Sequence, residues 1–161
     1  NIELAICLVK KNPMEMILQK STELGVSKII PIISERTEVK ELNQDRAKKI
    51  AIEATEQSNQ MFPPEILEVT KLKDFLENLD KNTKLLFADV NSKNNLKAED
   101  LKDSKSLCIL IGPEGDFSSA ERESILRNTA VKPFTLSRNI LRSDTAVISA
   151  ISLVNFINNF N

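Results

Sequence analysis

The chain has 161 residues, enough to bury one sizeable core as a single domain. It contains no His, Trp or Tyr, which excludes a Ser-His-Asp triad, a His-liganded zinc and a histidine general base. Lys and Arg total 22 against 23 Asp and Glu, so there is no basic field of the kind that dominates non-specific nucleic-acid binding.

Residues 2–9 form a compact apolar run that predicts a buried strand. Lys-Lys-Asn-Pro follows, with Asn12 suited to cap a helix and Pro13 to its first position. Met14, Ile17, Leu18 and Thr22 then recur at helical spacing, and Gly25 predicts a left-handed stop. Residues 29–33 predict a second strand, in which Pro31 favours an edge or bulged position. Asn43 is placed to cap a longer helix with Ala47, Ile50, Ala51, Ala54, Ser58 and Met61 inward, ended by Pro63-Pro64. Glu53, Glu56, Gln57 and Gln60 form its polar face. A short strand over 65–69, a short helix over 72–79 and a strand over 84–90 come next, and 91–105 reads as a polar, solvated connection. Residues 107–111 are the strongest parallel-strand candidate and run directly into Gly112-Pro113-Glu114-Gly115. Ser118 or Ser119 caps the following helix; 133–136 predict a brief strand and 143–160 a final helix.

Short connections between alternating strands and helices predict an α/β fold, with a mostly parallel sheet covered on both faces. The last helix carries two apolar stripes: Ala146, Ala150, Leu153, Ile157 and Phe160, then Val147, Ile151 and Val154. Docking on a sheet needs only one stripe, so the second predicts either burial against another chain or a helix central to its own core. Cys7 and Cys108 sit in apolar runs and read as buried thiols in a reducing compartment, with no disulfide or metal framework. No apolar run approaches the roughly 20 residues of a membrane span, and the start lacks a signal-peptide pattern, so a cytoplasmic location is expected. The chain opens on Asn1 and enters an apolar run at once, which suggests part of a longer protein.

Gly25, Gly112 and Gly115 are the only glycines, too few and too scattered for a dinucleotide loop or a P-loop. Two of them lie just after the best strand, where ligands bind in open α/β sheets and where bare backbone permits close approach. Alone, Gly-Pro-Glu-Gly reads as a tight strand-to-helix turn. A second stretch, Leu136-Ser137-Arg138-Asn139-Ile140-Leu141-Arg142-Ser143-Asp144-Thr145-Ala146, also follows a strand and enters a helix. Two such loops can build one pocket.

Ile-Gly-Pro-Glu-Gly at 111–115 with Leu-Arg-Ser-Asp-Thr-Ala at 141–146 resembles the cofactor motifs of SPOUT methyltransferases, most closely the bacterial 16S ribosomal RNA uridine N3-methyltransferases. Residues 19–26, 31–36 and 54–59 match that family in order, so the resemblance covers nearly the whole chain. It implies a deep C-terminal trefoil knot, a rare exception to un-knotted topology. It also implies S-adenosylmethionine held by Leu110, Ile111, Gly112, Pro113, Glu114, Gly115, Leu136, Ser137, Asn139, Ile140, Leu141 and Thr145. It further implies a homodimer acting on ribosomal RNA or the small ribosomal subunit. Residues 1–161 would be the methyltransferase domain, without the PUA-like RNA-binding domain that precedes it in the family. The family usually has Gly where Asp116 and Ser137 stand, Arg at Asn139, Glu at Asp144 and a basic residue at Gln60.

Without His, removal of the weakly acidic uridine N3 proton falls to carboxylates and positioned arginines. Arg36 and Arg142 are expected to steady developing charge, and Glu56 or Asp144 to accept or relay the proton. Two other functions fit the same residues: 2′-O-ribose methylation of tRNA or rRNA on the same fold, and a non-catalytic dimeric ribosome-assembly or ligand-binding module.

Overall fold

The computed structural model describes residues 1–159. In chain order the elements are β1 (Ile2–Cys7), α1 (Lys11–Glu23), β2 (Lys28–Ile33), α2 (Gln44–Gln57), β3 (Glu65–Ile66), β4 (Thr70–Lys71), α3 (Leu72–Glu77) and β5 (Thr83–Ala88). A 3-10 turn (Ala98–Leu101), β6 (Ser106–Ile111), α4 (Ser119–Leu126), β7 (Val131–Phe134) and α5 (Ser143–Asn159) complete them. The strands run in the order β3-β2-β1-β6-β5-β7, with β4 beside β2, and every pairing is parallel.

Alternation along the central strands sets the two layers. Leu4 and Ile6 of β1 face one side, where Ile17 of α1, Ala47 and Ala51 of α2, and Val147 and Ile151 of α5 bury against them. Ala5 and Cys7 face the other, against Phe75 of α3 and Phe117 and Ile125 beside and within α4. Each fully buried Leu, Ile or Phe side chain contributes about 1.5 to 3 kcal/mol of transfer free energy, which makes this two-sided core the main cohesive term. The expected α/β sandwich is thus the observed one.

Several local expectations are corrected. Lys10, not Asn12, precedes α1, no side chain caps it, and Pro13 takes the third helical position, where its missing N–H is still unneeded. Gly25 does end that helix: at φ +84° its N–H bonds Thr22 O while Val26 N–H bonds Ser21 O, a paired left-handed stop. Asn59 at φ +58° performs the same service for α2, with Asn59 N–H on Glu56 O and Gln60 N–H on Thr55 O. That stop ends the helix well before Pro63, so Met61 lies outside it and is 85% exposed rather than inward. Asn43 caps α2 as expected, accepting from Arg46 N–H.

Pro31 lies in a strand flanked on both sides, but at a point where its outer side is locally an edge. Ile32 O accepts from Leu8 N–H while Ile29 O accepts from Leu67 N–H, so position 31 points outward from β1. There β3 pairs only as far as Ile29 and β4 begins at Ile32, leaving a gap opposite the absent N–H. Of the strand expected over 65–69 only Glu65–Ile66 forms, and a second short piece follows it at Thr70–Lys71. The connection 91–105 is more than solvated: Leu96 and Leu101 are buried, and Asp100 pairs with Lys132 at 2.8 Å. The last helix spends its second stripe on its own core, with Val147, Ala150, Ile151, Val154 and Ile157 all buried. Phe160 lies outside the described residues.

Candidate functional site

The chain leaves β1 toward β2 on one side and leaves β6 toward β7 on the other, so the crevice between β1 and β6 is a switch point at the carboxyl edge. After β7, at the far edge, the chain must return to place α5 against α1 and β6 on the opposite face from α4. Its return segment runs along the carboxyl edge beside the loop after β6. A cavity of about 1020 Å³ lies between them, lined by 10–13 at the start of α1, 88–90 at the end of β5, 111–116, 135–137, 139–143 and Ala146.

The first wall is built from a compact turn. Asp116 N–H bonds Pro113 O at 2.9 Å, and Asp116 itself sits at φ +63° with Oδ1 accepting the N–H of Phe117 at 2.8 Å. A left-handed residue at 116 accounts for glycine being usual there, and Asp is among the few other residues that tolerate it. Phe117 turns inward, edge-on to Phe87 at 5.7 Å. A Cβ on Gly112 would stand 3.0 Å from the Phe117 ring, so any larger residue here would crowd the core. A reciprocal cap starts α4: Ser118 Oγ accepts Glu121 N–H and Glu121 Oε1 accepts Ser118 N–H, both at 3.2 Å. The other Glu121 oxygen accepts Glu35 N–H at 3.1 Å, and Arg36 Nη1 donates to Gly115 O at 3.0 Å. The loop after β2 thereby braces the loop after β6.

The second wall is tied to the segment after β5. Phe134 O accepts Asp89 N–H at 3.0 Å, and Thr135 N–H donates to Asn94 O at 2.8 Å. Ser137 Oγ then accepts Asn139 N–H, and Arg142 O accepts Ala146 N–H to open α5. Asp89 is buried and receives Arg122 through two bonds, Nη2 to Oδ2 at 2.8 Å and Nε to Oδ1 at 3.3 Å. Hydrogen bonding to Asp89 holds the Arg122 guanidinium above its usual range.

Of the residues singled out from sequence, Ile111, Gly112, Pro113, Glu114, Gly115, Leu136, Ser137, Asn139, Ile140, Leu141 and Arg142 line this cavity together. Leu110 is fully buried in the core and does not reach it. Asp144 and Thr145 sit in the first turn of α5, just past the lining residue Ser143, and do not line it. Arg36 lines an adjoining space of about 400 Å³ that shares Lys10 and Pro113–Gly115 with the first. Glu56 projects from the exposed face near the end of α2 and lines neither space.

Sequence reasoning missed Lys10, Lys11, Asn12, Pro13, Ala88, Asp89 and Val90. The signal was available, since β1 and β5 flank the best strand and their carboxyl ends must open on the same crevice. Lys10, Lys11 and Arg142 put cationic groups on a rim that also holds Glu114 and Asp116. Burial pushes the Cys7 thiol up to about 12, so it offers no nucleophile. Among the described residues no group of His, Cys, Asp and Glu could hold a metal ion, and no helix is long and apolar enough to cross a membrane.

A parallel α/β domain with a roomy cleft between two strand-end loops defines a small-molecule-binding class. Within it, the chain belongs to the RNA methyltransferase domain family, whose model matches residues 1–155. It is 32% identical over 159 residues to the ribosomal RNA small subunit methyltransferase E of Rickettsia conorii, covering 97% of this chain and 64% of that protein. With the protein of the same description from Aquifex aeolicus it shares 37% over 149 residues, 89% of this chain and 63% of the relative. The chain thus spans less than two thirds of either relative. The crystal structure of a ribosomal RNA small subunit methyltransferase E from Neisseria gonorrhoeae, bound to S-adenosyl methionine, superposes with a TM-score of 0.90 at 30% identity. It covers 100% of this chain and 68% of that one. A putative methyltransferase from Legionella pneumophila, also in complex with that cofactor, gives 0.83 at 32% identity, covering 97% of this chain and 66% of its own.

Proposed function

We propose that residues 1–161 form a methyltransferase domain that binds S-adenosylmethionine and methylates uridine at N3 in 16S ribosomal RNA. The observation that carries this is the convergence of the 111–116 and 135–143 loops on one cavity. At about 1020 Å³ it is at the upper end of small-molecule sites and fits the cofactor with room for an acceptor base. Main-chain groups of 111–116 and 135–141 would hold the nucleoside part, with Leu136, Ile140 and Leu141 as apolar walls. When bound, the cofactor supplies a methyl group on a positively charged sulfur.

The chain's own groups do the rest. Arg142, exposed in the cavity, stabilises the negative charge that develops on the uracil oxygens as N3 loses its proton. Arg36 commits one N–H to Gly115 O and keeps others for the acceptor RNA in the adjoining space. A carboxylate takes the proton; Glu114, which lines both spaces, and Asp144, next to the lining residue Ser143, are the candidates favoured here over Glu56, which lines neither space. The walls hold nitrogen, methyl and sulfur in line, which can supply a large part of the rate.

The return of 135–142 across the carboxyl edge, bonded to Asn94 of the preceding loop, supports the trefoil knot as part of this proposal. A homodimer belongs to it too, as the family resemblance implies. Ribosomal RNA as the acceptor places the activity in the cytoplasm. Incubation with 16S RNA and labelled cofactor, followed by nucleoside mass spectrometry, tests the proposal. Labelled 3-methyluridine is expected; label on a ribose 2′-oxygen would assign the other methyltransferase activity, and no label would favour a binding module.

A further inference from the structure

Asp89 retains only 2% exposure of its side chain, and a carboxylate so buried is costly unless it is paired and hydrogen-bonded. Its partner Arg122 is 34% exposed, so the guanidinium reaches in from α4 while keeping contact with water. An apolar residue at 89 would close the end of β5 more cheaply. What the pair adds is connection. Asp89 lines the cavity, its N–H is bonded to Phe134 O at the end of β7, and its Oδ1 also accepts Asn91 N–H at 3.0 Å. Arg122 N–H bonds Ser118 O, the cap that terminates the 112–117 loop. The ion pair therefore ties the end of β5 to the start of α4, and the main chain of Asp89 carries that tie on to the end of β7.

We propose that the Asp89–Arg122 pair is a positioning device that holds the end of β5, and with it the end of β7, at the spacing from the 112–117 loop that the cofactor needs, and so sets cofactor affinity without touching the reacting atoms. This rests on the cavity being the S-adenosylmethionine site. Local strengthening of the scaffold alone would make affinity follow stability; a positioning role separates the two.

The test measures S-adenosylhomocysteine affinity by calorimetry, well below the melting temperature, on the whole chain and on Arg122→Lys, Arg122→Met and the double variant Asp89→Asn/Arg122→Met. Arg122→Met should lower both melting temperature and affinity, the latter about tenfold, because loosened walls misplace the ligand groups. The double variant holds no unpaired buried charge and should regain part of the melting temperature lost in Arg122→Met. Its affinity should stay about tenfold weak, with KM for the cofactor raised and KM for the RNA unmoved. Lysine, a single-point cation, should recover only part of the affinity. Full affinity in the double variant would overturn the positioning role. Absence of binding by the unaltered chain would instead overturn the cofactor reading, and the inference with it.

Discussion

The Arg36 guanidinium donates to the main-chain carbonyl of Gly115 at 3.0 Å, so a side chain just past β2 holds the turn that follows β6. Beside it Glu35 N–H is held by Glu121, and the two bonds together fix the 112–117 loop from outside the cavity. The bracing explains how a turn with two glycines keeps a defined shape.

Replacing Arg36 with Ala should therefore weaken cofactor binding. An exposed charge-assisted bond of this kind is worth about 1 kcal/mol, or about fivefold in affinity. Calorimetry with S-adenosylhomocysteine reads this directly, and equal affinity in the variant would show that the loop holds itself.

Gly112→Ala should destabilise the fold. The new methyl would meet the Phe117 ring at 3.0 Å, a contact that a buried ring packed edge-on against Phe87 must shift to relieve. Overpacking of this type costs about 1 to 3 kcal/mol, measurable as a lower urea midpoint. Adding Phe117→Leu should recover part of the loss by making room.

Arg142→Ala should cut methyl transfer by a factor of about 10² to 10³, the usual consequence of removing a group that stabilises transition-state charge. The melting temperature should barely change, since Arg142 is exposed and enters the α5 start through its main-chain carbonyl. Single-turnover rates at saturating cofactor are the proper readout; near-normal turnover would remove Arg142 from the chemistry.

Both thiols titrate upward on folding, Cys7 to about 12 and Cys108 further, in each case chiefly through burial. An acid whose folded value is raised binds more protons in the native state than in the unfolded one once pH passes the unfolded value. Their stabilising contribution is thus complete below about pH 8.5 and falls as pH rises toward 12, by about 1.4 kcal/mol per pH unit for each thiol. Urea titrations from pH 8 to 11 should show this decline, and Cys7→Ala should flatten part of it. Native thiols should also resist an aromatic disulfide reagent at pH 8 until the chain unfolds.

Much of this architecture was legible from the chain itself. Leu107 to Ile111 reads as a parallel strand because it is an unbroken apolar run, and Ser118 or Ser119 reads as the cap of the next helix; the structure pairs that strand on both sides and makes Ser118 the cap. The stops were harder. Asn59 ends α2 through a positive φ that Asn adopts without advertising it, so Met61 was drawn inward by periodicity alone. Gly112 reads as clearance for a ligand and does line the cavity, but its nearest side-chain neighbour is Phe117, a contact that depends on how one side chain turns at the strand end. Pairing across the fold was likewise invisible: nothing near Asp89 in sequence points to Arg122, 33 residues on.

The central claim is that the cleft between the two loops is a methyl-donor site, and isothermal titration of the folded chain with S-adenosylmethionine tests it most directly. A saturable heat with one site per chain, abolished when S-adenosylhomocysteine already fills the cleft, is the expected result. A folded chain that gives no heat and no protection of residues 111–116 and 135–143 from hydrogen exchange would contradict it.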